Sequence, residues 1–279
     1  CRDSLVLSQF PLVLFFARNA RFVSFGFFLA LFSSFGQTFY VALFNGVLRT
    51  ELGMSISDLG NIYGLATFGG ALLLMAMGRL IDVWDLRVFT AFSCVLLAAA
   101  CLMFANATGP VSLLIAVLGL RLAGQGLMSH TGLTSMSRYF ESERGLAVSI
   151  ASIGFAAGVG LFPFTGAILM QTYGWRQIWT GSAVVVLFVS LPLALFLLRG
   201  HPDRHAAYLD RLDYDADESD QPRNTGWTRA QVLRDRRFYM LLPLMLSLPF
   251  VATGIQFHQV LLVEEKGWLL ATFASGYFV

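Results

Sequence analysis

Seven stretches of this sequence are each long and apolar enough to cross a bilayer. They lie at about 22–46, 57–79, 88–107, 110–131, 145–170, 177–198 and 238–263. A spanning helix needs about 20 mostly apolar residues. Lipid offers no partner to open backbone groups, so such runs fold as helices or as closed barrels. The residue-by-residue alternation of a membrane barrel is absent, which leaves helices. Composition agrees. Charged residues make up 13% and mean hydropathy is +0.67, against about 25% charge in a soluble domain. The sequence therefore predicts an all-α membrane protein.

Most links are short, so successive helices run antiparallel. One is long and acidic, with Asp210, Asp213, Asp215, Asp217, Glu218 and Asp220. It divides the chain into an N-terminal segment (1–21), a six-helix bundle (22–198), a linker (199–237) and the start of a second bundle (238–279). Within the linker, Thr228 with Gln231 fits a capping box and Trp227 with Val232 a hydrophobic staple, so a short surface helix is expected there. The stretch 203–225 reads equally well as a disordered loop. An eighth apolar run begins near Leu269 and is too short to cross before Val279, and the chain opens on Cys1. Both features give the expectation of a chain truncated after its seventh helix.

Summing alternate links puts fifteen of the nineteen basic residues on one side, three on the other, and Arg121 within a span. The positive-inside rule then predicts a multi-pass inner (plasma) membrane protein with a cytoplasmic N-terminus and linker. Trp84, Trp175, Trp179 and Trp268 fall at span ends, where amphipathic rings are expected at the lipid interface. Cys94 and Cys101 read as small buried hydrophobes. No metal-ligand spacing, cofactor motif or basic stripe with interleaved aromatics occurs, so no cofactor, metal or nucleic-acid partner is expected. No nucleophile with a base and no paired acids lie at matched depth, so an enzyme is not expected.

Three motifs carry a family resemblance. Gly78-Arg-Leu80-Ile-Asp82-Val-Trp-Asp85-Leu-Arg87 resembles the major facilitator signature between its second and third helices. Gly78, Leu80, Asp82 and Arg87 match, while Val83, Asp85 and Leu86 depart from it. Arg121-Leu-Ala-Gly124-Gln125-Gly126 resembles the family's second signature. Arg138-Tyr-Phe…Arg144-Gly-Leu-Ala147 is similar to the segment that follows the fourth helix in monocarboxylate- and oxalate/formate-like members. The glycine-rich fifth span with Pro163 partly matches a third signature. The resemblance implies a major facilitator fold: a bundle of inverted three-plus-three repeats, then helix seven and the start of helix eight. It also implies that Gly78, Asp82, Arg87 and Arg144 gate the cytoplasmic side. A faint echo of 78–87 in 166–176 fits an inverted repeat.

Arg121 lies about ten residues into its span, or roughly 15 Å deep, where an arginine costs at least ~2.5 kcal/mol. It must face protein or a wet cavity. Gln125 follows one turn later on the same face. Tying to carbonyls of a neighbouring helix is the alternative role. Gln37 and Tyr40 of the first span, and Gln256 and His258 of the seventh, are further candidates for substrate contact near mid-membrane. No Asp or Glu lies deep in any span. The expected partner is therefore a small solute such as a carboxylate, moved by alternating access, with His130 or His258 available to a coupling proton. His130 is expected off the Arg121 face. A non-transporting sensor or scaffold on the same fold is the second reading.

Overall fold

A computed structural model describes residues 11–140, 142–218 and 229–278. Those residues are helical, and six helices are long and apolar enough to span a membrane: Ile56–Met77, Leu86–Ala105, Pro110–Tyr139, Arg144–Leu169, Trp175–Leu197 and Arg236–Phe257. Before them, Arg18–Gly36 and Thr38–Leu52 form one span bent by 43°. These seven are called the first to seventh spans in chain order, the bent pair being the first.

The first span is the irregular one. Its long helix ends at Phe32, a 3₁₀ turn covers Ser33–Gly36, and Gln37 is extended at φ −86°, ψ 153°. The chain continues as Thr38–Val41, a second 3₁₀ turn, and Asn45–Leu52. Gly53 ends it in the left-handed conformation at φ 63°. The break leaves carbonyls that the helix no longer uses.

The fourth span runs 30 residues, to Tyr139, past the end near 131 expected from hydropathy. Its last turns are rich in hydroxyls, and these bond to the helix's own carbonyls. Thr131 Oγ1 donates to Leu127 O and Ser135 Oγ to Thr131 O, each at 2.6 Å. The polar groups are thus satisfied without leaving the helix. Residues Arg121–Met128 are wound as a π-helix.

The first span packs on the fifth, the second on the fourth, and the third on both the fourth and the sixth. Exchanging the triplets one–two–three and four–five–six turns the first–fifth contact into the fourth–second contact and keeps the third–sixth contact. That is the pattern of a three-plus-three repeat. The linker contains a helix, His201–Glu218, where 203–225 read equally as a loop. Pro202 at the start and Ala206, Ala207 and Leu209 further on suit a helix. The expected short helix is present as Arg229–Arg234; Trp227 and Thr228 lie outside the described residues.

Two tryptophans correct the interface expectation. Trp175 and Trp179 are buried. Trp179 packs within the six-helix core against Phe104, Tyr40 and Phe44, at ring distances of 4.3, 5.2 and 5.3 Å. Trp84 and Trp268 are exposed. Cys94 and Cys101 are free and buried.

Two glycines face each other where the first and fourth spans cross. A Cβ on Gly36 would lie 2.7 Å from the Gly124 Cα, and one on Gly124 2.7 Å from the Gly36 Cα. Backbone faces backbone, so nothing can yield. Gly124→Leu should destabilise by about 1–3 kcal/mol or more. Gly181→Leu, where a Cβ meets nothing within 4 Å, should not lower the melting temperature. Thermal unfolding in detergent checks the pair.

Candidate functional site

Arg121 opens the π-helical stretch of the fourth span and is 6% exposed. The break in the first span lies opposite. Arg121 Nη1 donates to Gly36 O at 3.1 Å and to Thr38 Oγ1 at 3.3 Å. Tyr63 of the second span donates to the same Thr38 hydroxyl at 2.8 Å. Its ring lies 5.2 Å from the Arg121 guanidinium carbon. A hydrogen bond to a charged group contributes about 1.5–3 kcal/mol and a cation–π contact about 0.5–2. Together these match the ~2.5 kcal/mol insertion cost. The arginine is held in place by neutral groups, and its charge stays uncompensated. Among the described residues no carboxylate pairs with it, and its Nε is buried with no partner.

Arg121 borders a cavity of about 240 Å³ shared with Thr67, Gly70, Gln125 and His130. His130 was expected off this face. Nine α-helical residues make about two and a half turns and would place it opposite. The wider i→i+5 winding of Arg121–Met128 removes the extra rotation, so both residues reach one cavity. A second cavity, of about 410 Å³, reaches Gly78, Arg79 and Thr134. Leu74 and His130 line both. The two form a track from Arg121 to the end of the bundle that carries Arg79, Arg138 and Arg199.

The opposite end is tied shut between the first and seventh spans. Asn45 Nδ2 donates to Phe257 O at 3.0 Å, and Gln259 Nε2 to Phe39 O at 2.9 Å. Tyr277 donates to Gln259 Oε1 at 3.1 Å. The Tyr63 and Phe257 rings are 4.9 Å apart, and Arg49 approaches Glu264 at 3.9 Å. Beyond Phe257 towards the arginine-rich end, the seventh span has no buried residue along its length.

Asn45 and Gln259 are related by a repeat in the sequence. Asn45 and Gln259, Gly53 and Gly267, and Tyr63 and Tyr277 are each 214 residues apart. Asn45 and Gln259 each begin an eight-residue helix closed by a left-handed glycine, Gly53 at φ 63° and Gly267 at φ 64°. Each side chain caps a carbonyl freed by the other span's break.

The remaining candidates are dispersed. Gln37 is buried at the break itself. Tyr40 is buried against Trp179 and 3.3 Å from Ser182 Oγ, away from the track. Gln256 is half-buried and His258 exposed, beside a small outer pocket of about 20 Å³. Gly78 lines the track. Asp82 lies in the short helix Leu80–Val83, its side chain outside the described set. Arg87 and Arg144 are exposed, and the Arg87 N–H donates to Asp85 Oδ1 at 2.7 Å, which caps the third span.

At the closed end, Arg176 bonds Glu51 and also donates to Ala107 O at 3.2 Å. Both side chains are nearly half exposed, so the ion pair adds at most about 1 kcal/mol to stability.

A comparison with curated proteins gave no match. A sequence model described as Major Facilitator Superfamily matches residues 25–279. The chain belongs to the Major Facilitator Superfamily.

Proposed function

We propose that the protein is a secondary transporter that moves a small organic anion, such as a monocarboxylate, by alternating access. The reading rests on one observation: a buried guanidinium on a cavity wall, held by neutral groups, with no acid lining the cavity. Such a charge in a low-dielectric setting attracts an anion far more strongly than it would in water. Arg121 supplies the charge. Gln125, on the same wall, supplies amide hydrogen bonds to a second substrate oxygen. Gln37 at the break, Tyr40 behind it, and Gln256 and His258 on the seventh span are assigned contacts made as the two halves move. His130, between the two cavities, is the group we assign to a coupling proton.

The asymmetry of the ends supports alternating access. One end is closed by reciprocal side-chain caps across two broken helices, and the other carries the track mouth. Rocking about the Arg121 level would exchange them. Gly78, Asp82, Arg87 and Arg144, at the mouth, would then form the gate of the other state. The charge bias of the links supports an inner-membrane setting with the N-terminus and the arginine-rich end in the cytoplasm. The Arg138–Ala147 segment supports placement in the monocarboxylate and oxalate/formate branch.

Uptake of labelled carboxylates, sugars and organic cations into proteoliposomes holding the full-length protein tests this. Saturable uptake of a carboxylate is expected. Arg121→Ala should reduce it at least about a hundredfold, as expected when a buried charged partner is removed at a cost of about 3 kcal/mol. Gln125→Ala should reduce it about tenfold. Transport of a cation or sugar that is indifferent to Arg121→Ala would reduce Arg121 to a tie between helices.

A further inference from the structure

We propose that a second pocket, at the arginine-rich end and separate from the Arg121 track, binds the phosphate of an anionic lipid headgroup. The proposal does not depend on which solute is carried. The pocket lies between the starts of the first span and of the linker helix, under the end of the sixth span. Arg18, Arg21, Arg199, Arg204 and His201 line it together with Phe22. Its volume is about 130 Å³, below the roughly 300 Å³ where sites for whole small molecules begin. A single headgroup moiety suits that size.

Four arginines line the pocket, and among the described residues no acid does. Asp203, in the first turn of the linker helix, is exposed and not part of the wall. Two of the arginines are fixed by neutral groups. Arg21 donates to Arg199 O at 2.7 Å and to Phe196 O at 3.3 Å, which closes the last turn of the sixth span. Arg204 lies 4.5 Å from the Phe22 ring and 5.5 Å from that of Phe140. Aromatic and carbonyl partners set their positions without cancelling their charge. Arg18 and Arg199 form no ion pair among the described residues. Arginine's planar fork matches phosphate oxygens in pairs, and four such forks repel one another unless an anion sits between them.

A buried side chain points to the same anion. His201 is 3% exposed, and its Nδ1 is buried with no partner. A buried polar atom left open in this way marks an absent partner.

The surroundings favour lipid over free phosphate. Arg199 stacks at 4.9 Å on Phe196, whose ring is half-exposed on the outer surface of the bundle. An acyl chain could follow that apolar wall while its phosphate occupies the pocket. Basic pockets between spanning helices, at the membrane surface, recognise anionic headgroups in this way.

Native mass spectrometry of the full-length protein, titrated with phosphatidylglycerol or phosphatidylcholine, tests the proposal. The pocket variant is Arg18→Gln/Arg199→Gln, because among the described residues neither side chain donates a hydrogen bond. The control is Arg234→Gln/Arg236→Gln, which removes the same charge at the start of the seventh span. Melting temperatures of all forms are compared first, and Arg18→Gln alone replaces the double variant if that one unfolds. Phosphatidylglycerol should bind the wild type and the control about tenfold or more above the pocket variant. Phosphatidylcholine should show no such difference. Binding of inorganic phosphate, lost in the pocket variant while lipid binding is unaffected, would keep the phosphate site and assign it a soluble ligand. Equal loss in the pocket and control variants, or loss in neither, would overturn the proposal.

Discussion

A guanidinium buried at mid-membrane needs acceptors, and a regular helix has none to spare. The first span resolves this for Arg121 by breaking. Its 3₁₀ turn and the extended Gln37 free the Gly36 carbonyl, which Arg121 takes. Contact at that distance requires glycine on both sides, Gly36 and Gly124. The π-helical winding that begins at Arg121 then turns His130 onto the same face. One buried charge thus connects the irregularities of two spans and the shape of the cavity between them.

The same break serves the closed end. Carbonyls of Phe39 and Phe257, freed where the first and seventh spans leave regular helix, accept from Gln259 and Asn45. These are neutral hydrogen bonds, each of order 1 kcal/mol net, and the Arg49–Glu264 pair is partly exposed and contributes little. Bonds of that size break at small cost, which the proposed alternating access would require of this end. The packing of the six-helix bundle, by contrast, rests on glycine-to-backbone contact and on a buried aromatic cluster around Trp179, which resist sliding.

Much of this was legible in the sequence. Span number follows from run length, because backbone satisfaction in lipid admits few alternatives. Arg121 stood out by its cost, and Gln125 by its spacing. What the sequence concealed was winding and partnership. Helical periodicity assumes 3.6 residues per turn, so it set His130 on the wrong face of a π-helical stretch. Hydropathy ended the fourth span early, because it counts hydroxyls as polar even where the helix's own carbonyls accept them. Position at a span end suggested lipid-facing rings for Trp175 and Trp179, yet packing between the third and sixth spans buries both. Gln259 stands beside Gln256 and His258, and its 214-residue offset from Asn45 marks its part in the cross-span pair.

The Arg121 cavity faces the arginine-rich end, while the other end is tied shut. Single cysteines at Thr67, Ala71, Gln125 and His130, in a cysteine-free background, can be labelled with a membrane-impermeant thiol reagent in vesicles of each orientation. Labelling is expected from the arginine-rich side, with protection of Thr67→Cys and Gln125→Cys by the carried solute. Labelling from the opposite side alone, with no protection by any solute, would contradict it.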